Sequence, residues 1–216
     1  MASADNWKRA QPHDPFWEEQ REGMTEAHVA PLNELILGLG AAKGGLRLPF
    51  AAPWHGGIDA PALVVLNDAG EPREETTFMC VRSPDRAADR QRHLMTEFNI
   101  DPGDLCHWNG YPWPRKDPKR KLTPRQSLEG GQALMQVMGL MVDLKMLLLL
   151  GRMAQDAADA VLPDLRSAYP ELRIVRSLHP LGAKRTVDRD EQKRVWSDIA
   201  ARLGETRQVA RNHCLP

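Results

Sequence analysis

The chain has 216 residues, of which 42% are hydrophobic and 27% are charged, and this composition is that of an ordinary globular protein. Its length is sufficient for one domain with a well-buried core and is short for two. Because 29 lysine and arginine residues balance 29 aspartate and glutamate residues, the net charge attracts no polyanion, and any surface that binds nucleic acid must be local.

The N-terminal residues contain no apolar segment of the signal-peptide kind, so we expect a cytoplasmic protein. Residues 1–27 are mostly polar without a clear hydrophobic period, which predicts a loosely ordered arm in front of a single domain spanning 28–216. The most apolar stretch, 135–150, includes Asp143 and Lys145 and falls short of the roughly 20 residues that a membrane span needs. We therefore expect no membrane partner.

The three cysteines, Cys80, Cys106 and Cys214, lie far apart and form no Cys-x-x-Cys pair, which disfavours disulfides, zinc ribbons and iron–sulfur clusters. The seven histidines include no His-Glu-x-x-His sequence and no pair at the spacing of helical metal ligands. The sequence thus predicts reduced thiols, no metal site and no cofactor.

In chain order, a short helix from Ala30 comes first, and strands then alternate with helices. Apolar runs of strand length predict four strands, at 62–66, 105–108, 146–150 and 172–175. Helix-start signals follow the strands, at Ser83-Pro84, at the capping box of Thr123 and Gln126, after Gly151 and at Asp188. This alternation implies right-handed crossovers, so we predict an α/β fold, a three-layer α/β/α sandwich with a central, mostly parallel four-stranded sheet.

Sheets of this kind bind ligands at the carboxyl ends of their strands, which directs attention to the loops there. The first such loop is Asn67-Asp68-Ala69-Gly70. Its glycine lets a ligand approach the backbone closely, and Asp68 or Asn67 could position or activate a water molecule. An Asx turn accounts for the same residues equally well, because Asn, Asp and Gly are common turn formers.

Two later strand ends also carry unusual chemistry. The loop 108–113 is rich in aromatic residues and contains Asn109, whose amide can pair with the edge of a base while the rings offer stacking surface. The alternative is a hydrophobic plug over the end of the sheet. His179 follows the fourth strand, and although a lone histidine is more often structural, it lies at the same sheet edge as Asp68, as a catalytic pair would.

Two basic stretches flank this edge of the sheet. Their lysines and arginines include Arg115, Lys119, Arg120 and Lys121 after the aromatic loop, and Lys184 and Arg185 after His179. On a protein without net charge, such clusters could form a rim that contacts phosphates. A solvated loop is at least as good an interpretation from composition alone.

Four short motifs occur in order at successive strand ends. They are Leu66-Asn67-Asp68-Ala69-Gly70, Phe78, Trp108-Asn109 with Pro112-Trp113, and Leu178-His179-Pro180. In residues, order and placement they resemble the motifs of the uracil-DNA glycosylase superfamily. The resemblance covers roughly residues 28–203 and is greatest to compact bacterial members that lack an iron–sulfur cluster.

The resemblance implies an enzyme that hydrolyses the N-glycosidic bond of uracil, or of a related deaminated base, after the nucleotide has been flipped out of DNA. It implies that Phe78 stacks on the base beside Gly70 and that Asn109 reads the amide edge of the base. It further implies that His179 stabilises the negative charge that develops on the departing base.

The resemblance assigns the attacking water to Asp68, whereas some branches of the superfamily use an acid one residue earlier, where this chain has Asn67. Three residues depart from the usual motifs. Leu66 stands where a glycine usually ends the strand, and Ala69 stands where a proline often stiffens the loop. Leu181 stands where a small hydroxyl residue often follows His-Pro, and it could instead act as a wedge in the duplex.

Three hypotheses follow for the function of the chain. The first is a monomeric base-excision glycosylase whose partner is DNA containing uracil or another damaged base. The second is a catalytically weak or inactive relative that binds damaged or single-stranded nucleic acid through the same cleft. The third is an α/β domain that binds a small nucleotide-like ligand, in which the basic loops are only solvated.

Overall fold

The computed structural model describes residues 8–11, 13–69, 77–117 and 120–213, with side chains described as far as residue 205. The helices are α1 (Phe16–Glu22), α2 (Ala30–Ala41), α3 (Arg86–Glu97), α4 (Pro124–Leu140), α5 (Arg152–Ala160), α6 (Leu162–Ala168) and α7 (Thr186–His213). The strands are β1 (Phe50–Ala51), β2 (Ala62–Asp68), β3 (Phe78–Met79), β4 (Leu105–Tyr111), β5 (Met146–Leu150) and β6 (Arg173–Ser177). In these ranges no helix combines the length and the apolar character needed to cross a bilayer.

The central sheet has four parallel strands in the order β4-β2-β5-β6. Ala62 of β2 lies opposite Leu105 on one side and Met146 on the other. The chain therefore passes from β2 outward to β4 and then returns across β2 to β5, which is the change of direction that opens a crevice at the carboxyl ends. The predicted three-layer α/β/α sandwich with a parallel four-stranded sheet is confirmed.

Both faces of the sheet are covered, which explains why its inner strands are uninterrupted apolar runs. Along β2, alternate side chains face opposite layers because successive residues of a strand point to opposite sides. Val64 belongs to the cluster that packs against α3 and α7 through Leu94 and Trp196, whereas Leu63 belongs to the cluster that packs against α4 through Leu134. We refer to these sides as the α3 face and the α4 face.

Three strands run further than the apolar pattern predicts. β2 ends at Asp68 instead of Leu66, β4 ends at Tyr111 instead of Trp108, and β6 ends at Ser177 instead of Val175. The extensions of β2 and β4 pair with each other, since Asp68 lies opposite Tyr111 in the parallel register. Polar side chains at the ends of β2 and β4 therefore belong to strands, and their directions are fixed by the alternation of the sheet.

The helix starts show two confirmed signals and two corrections. α5 begins directly after Gly151 as predicted, whereas α7 begins at Thr186 and not at Asp188. The capping box of Thr123 and Gln126 begins α4 as predicted. At α3 the cap is Asp85 and not Ser83, because the Asp85 carboxylate accepts the backbone N–H groups of Ala87 and Ala88 at 2.8 and 2.9 Å. A carboxylate at this position satisfies two free N–H groups and complements the positive end of the helix dipole.

The described part of the N-terminal segment contains structure that the hydrophobic pattern does not predict. Instead of a loosely ordered arm, it contains α1, on which Phe16 and Trp17 are buried. The Trp17 ring stacks on Phe78 at a centroid distance of 6.3 Å, and Phe78 pairs with Phe50 in the small parallel sheet of β1 and β3. This segment packs beside the sheet and fixes the position of Phe78.

Cys80 and Cys106 are buried and carry free thiols, and burial raises the pKa of each to about 12. Thiols with such a pKa stay protonated and unreactive at neutral pH. Cys214 lies outside the described residues.

Candidate functional site

A cavity of about 340 Å³ lies at the carboxyl ends of β2 and β4, on the α3 face of the sheet. We call it the sheet-edge cavity. It is lined by Pro49, Leu66, Asp68, Ala69, Phe78, Met79, Cys80, Ser83, Asp85, Ala87, Ala88, Gln91, His107, Asn109 and His179. Residues from each of the four sequence motifs, namely Asp68, Phe78, Asn109 and His179, thus line one cavity, although they are far apart in the chain.

The sequence leaves open whether Asp68 or Asn67 positions the water molecule. In β2, successive side chains point to opposite faces of the sheet, so the two residues face different sides. Asp68 lines the sheet-edge cavity, together with Leu66 two positions earlier. Asn67 lies between them and points toward the α4 face, where its side-chain oxygen accepts the backbone N–H of Met153 at 3.1 Å. Asn67 therefore binds the first turn of α5, and of these two neighbouring residues it is Asp68 that lines the cavity.

An arginine from the loop after β4 holds the Asp68 carboxylate. The Nε–H of Arg115 donates to Oδ2 of Asp68 at 2.9 Å, and Nη1 of Arg115 donates to the backbone oxygen of Arg120 at 2.8 Å. The Arg115 side chain is only 4% exposed, so this contact is shielded from water. Part of the first basic stretch is thus structural: it fixes the direction of the carboxylate at the cavity.

The ring of His179 is held in a defined tautomer. Its Nδ1 accepts the backbone N–H of Leu181 at 3.3 Å, which leaves the proton of the neutral ring on Nε2. Burial lowers the pKa of His179, against the opposing effect of the Asp68 and Asp85 carboxylates. At neutral pH this histidine is therefore an uncharged hydrogen-bond donor at the cavity.

Two further contacts position the His179 segment. Nε2 of Gln192, on α7, donates to the backbone oxygen of His179 at 3.0 Å. Gly151 directly follows β5 and has a φ of +105°. A Cβ built at this glycine would lie 2.5 Å from Oδ1 of Asn67 and 2.9 Å from Cβ of His179. Only glycine allows β2, β5 and the His179 segment to approach so closely.

The aromatic and amide residues of the motifs are buried at the cavity wall. Phe78 is 3% exposed and is supported from behind by Trp17 and Phe50. Asn109 is buried, and its side-chain Nδ2 lies 3.5 Å from Sδ of Met79. A thioether is a weak acceptor, so the amide of Asn109 retains capacity for a stronger partner.

The other predicted residues that the structure describes lie outside the cavity lining. Arg120, Lys121 and Lys184 are exposed, and Arg185 is engaged by Asp188, with Nη2 and Oδ1 2.8 Å apart. Leu181 is 43% exposed close to His179, and Leu178 is similarly exposed. Gly70 and Lys119 lie outside the described residues.

The structure adds Asp85, Gln91, His107 and Gly151 to the predicted site. His107 and Asn109 are two positions apart on β4, so the period of a strand could have placed them on one face if the strand end had been known. Gly151 directly follows an apolar run, which is a signal for close backbone approach. Nothing in the local sequence indicates Gln91. It reaches the cavity only because of the way α3 packs on the sheet, which the local sequence does not reveal.

The described residues contain no group of three or more His, Cys, Asp or Glu side chains that could hold a metal ion. Compared with known proteins, the sequence matches no protein-family model. It also matches no curated protein.

Proposed function

We propose that the protein is a DNA glycosylase, which hydrolyses the N-glycosidic bond of a deaminated base such as uracil. The observation that carries the proposal is the convergence of Asp68, Phe78, Asn109 and His179 on the sheet-edge cavity. A carboxylate, an aromatic ring, an amide and a neutral imidazole at one cavity are the groups that this hydrolysis requires. The order of the motifs along the chain adds support, because it resembles that of the uracil-DNA glycosylase superfamily.

In the proposed reaction, Asp68 orients a water molecule toward C1′ of the deoxyribose. The C–N glycosidic bond breaks, and its electron pair leaves with the base. The water oxygen bonds to C1′ and passes one proton to the Asp68 carboxylate, so that it becomes the hydroxyl group on C1′. Nε2–H of His179 donates a hydrogen bond to the negative charge that accumulates on the base, which then takes up a proton from solvent. A neutral donor held in place before the reaction stabilises this charge without reorganisation.

The base must leave the stack to reach this machinery, because the cavity walls are buried among α3, β2 and β4. Phe78 offers a rigid ring for stacking, and Asn109 offers a donor and an acceptor for the amide edge of the base. The Arg115 contact then keeps the Asp68 carboxylate directed at the sugar while the base is held.

The surface beside the cavity mouth has features suited to a DNA duplex. Leu178 and Leu181 are exposed apolar side chains that flank His179, and an inserted leucine can fill the gap left by an extruded nucleotide. Lys121 and Lys184 are exposed cations that could contact phosphates. A phosphate near Arg185 would compete with Asp188 for its guanidinium.

The proposal is tested by incubating the full chain with oligonucleotides that contain uracil, hypoxanthine, xanthine or a mismatch, and by cleaving the strand chemically at any abasic site. We expect abasic product from at least one of these substrates. His179→Ala should lower the rate by about 10²–10³, the usual effect of removing one donor to a developing negative charge. The control His93→Ala removes an exposed histidine on α3 and should excise as the wild type does.

The absence of abasic product from all four substrates at high enzyme concentration would overturn the proposal. One observation favours the second candidate in that case, a weak or inactive relative that binds damaged or single-stranded nucleic acid. The Asp68 carboxylate is already bound by Arg115 and so has less capacity left for a water molecule. That candidate predicts DNA binding that weakens steeply with salt, without any abasic product.

A further inference from the structure

Two buried polar side chains of the sheet-edge cavity have no part in the function proposed above. Gln91 on α3 and His107 on β4 are 2% and 4% exposed, and both line the cavity. Oε1 of Gln91 and both ring nitrogens of His107 have no hydrogen-bond partner among the described residues. Nearly all buried polar atoms in native proteins are paired, so these unpaired atoms at one cavity indicate a bound group that pairs with Gln91 and with one ring nitrogen of His107.

The charge state of His107 limits what this group can be. Burial, together with the nearby ring of His55, lowers the pKa of His107 well below its usual value. The ring is therefore neutral and offers one N–H donor and one nitrogen acceptor. Gln91 adds a carbonyl acceptor, so together the two side chains match a ligand edge on which an N–H donor stands next to an acceptor oxygen.

The position of His107 relative to Asn109 indicates how far this edge of the ligand lies from the sugar. His107 precedes Asn109 by two residues on the same face of β4, which places it roughly 6–7 Å deeper along the strand, away from the cavity mouth. A pyrimidine whose amide edge pairs with Asn109 has no further polar group to present at that depth. A purine is longer, and its six-membered ring extends further from the glycosidic bond.

We propose, on the basis of the glycosylase function above, that Gln91 and His107 determine specificity for a deaminated purine, hypoxanthine or xanthine. Oε1 of Gln91 accepts from the N1–H of the purine, and the ring N–H of His107 donates to its O6. Asn109 then contacts the base nearer the cavity mouth. The volume of about 340 Å³ lies within the roughly 300–1,000 Å³ range of small-molecule sites.

Binding of free bases to the full chain tests this proposal without requiring catalysis. Titration calorimetry or NMR should show that hypoxanthine binds more tightly than uracil. His107→Leu and Gln91→Leu should each weaken hypoxanthine binding by about tenfold, the effect of losing one hydrogen bond. The controls His93→Leu and Gln132→Leu change exposed residues of α3 and α4 and should leave this binding as it is in the wild type.

A stability measurement separates this role from a structural one. Replacing a buried unpaired polar group with an apolar group of similar size is nearly neutral or stabilising. His107→Leu should therefore keep or raise the melting temperature while hypoxanthine binding falls. A lower melting temperature together with unchanged hypoxanthine binding would show that His107 is structural and would overturn the proposal, and Gln91→Leu provides the same comparison if His107→Leu does not fold.

Excision assays distinguish failure of this proposal from failure of the glycosylase function. The ratio of the hypoxanthine rate to the uracil rate should fall by about tenfold in His107→Leu and in Gln91→Leu. Efficient uracil excision with an unchanged ratio in both variants would overturn the specificity proposal alone. Hypoxanthine binding that depends on His107, without excision of any base, would overturn the glycosylase function and support the assignment of the binding residues.

Discussion

Asp68 and Asn67 are neighbours in the chain, but they serve opposite sides of the sheet. Asp68 lines the cavity and is held by Arg115, whereas Asn67 accepts the N–H of Met153 at the start of α5. Their separation follows from the length of β2, which continues through both residues. The local sequence is also compatible with an Asx turn, and in such a turn the two directions would not be fixed.

At the same scale, Gly151 lies where Asn67 and His179 approach each other. We predict that Gly151→Ala lowers the free energy of unfolding by about 2 kcal/mol or more, through both backbone strain and the clash of the new Cβ. Displacement of His179 should lower the excision rate by about a hundredfold, because misplacing a catalytic group by about 1 Å has an effect of this size.

Gly44→Ala is the matched control for this prediction. Gly44 has a φ of +80°, and an added Cβ would meet nothing within 4 Å. This variant should lose about 1 kcal/mol of stability from backbone strain alone and should excise as the wild type does. Equal losses of stability and of activity in the two variants would show that the contact of Gly151 with Asn67 and His179 has no importance.

At the scale of elements, the start of α3 joins helix stability to the cavity. Asp85 caps this helix and lines the cavity, and its charge raises the pKa of His179. We predict that Asp85→Ala costs about 1 kcal/mol of stability and lowers the pKa of His179 further. In the proposed reaction, neutral His179 donates to the base, so the acidic limb of the pH–rate profile should move to lower pH.

Thr123→Ala provides the comparison, because Thr123 caps α4 and does not line the cavity. It should cost a similar amount, about 1 kcal/mol, and leave the pH–rate profile in place. Chemical denaturation and single-turnover rates across pH measure both effects. A profile that moves equally in the two variants would mean that Asp85 acts only through the stability of its helix.

The elements that the sequence predicts well are those with a strong local signal. β5 has the predicted bounds, since Met146–Leu150 is an apolar run buried on both faces, and the Thr123 capping box starts α4 as expected. The two-residue strands β1 and β3 have no periodicity to detect, and their pairing depends on Phe78 and Phe50 meeting across distant parts of the chain. The N-cap of α3 is Asp85, which directly follows the predicted Ser83-Pro84 signal, because the Asp85 carboxylate accepts two backbone N–H groups there.

At the scale of the whole molecule, buried neutral histidines should make stability depend on pH. Burial lowers the pKa of His55 to about 4, while its hydrogen bond to Pro102 has a smaller opposing effect. Burial also lowers the pKa of His107 and of His179. In the unfolded chain these rings bind protons below about pH 6.5, so between that pH and pH 4 the unfolded state holds more protons than the folded state.

We predict that the stabilisation from His55 is fully present above about pH 6.5 and falls by about 3 kcal/mol as the pH drops to about 4. Urea denaturation at several pH values measures this change. His55→Gln should show a smaller drop than the wild type, and the exposed control His93→Gln should show the wild-type drop. The same fall in the free energy of unfolding in all three proteins would contradict the claim that burial of His55 causes it.

The location of the site is also a property of the whole molecule. The rule that ligands bind at the carboxyl ends of parallel strands was sufficient to select the loops that carry Asp68, Asn109 and His179. It could not select Gln91 or His107, because their approach to the cavity depends on how α3 packs and where β4 ends. The composition of the basic stretch around Arg115 is compatible with phosphate contacts, and only the folded chain shows that Arg115 pairs with Asp68.

The most direct test of the central claim is the single-turnover rate at which the protein releases a base from DNA, measured for Asp68→Ala beside Asp143→Ala. Asp143 is an exposed carboxylate that pairs with Lys145. On the best substrate, we predict that Asp68→Ala slows release by about 10²–10⁴, the range for loss of a group that acts on the attacking water. Asp143→Ala should match the wild type, and equal rates of release in the two variants would contradict the assignment of the sheet-edge cavity as the catalytic site.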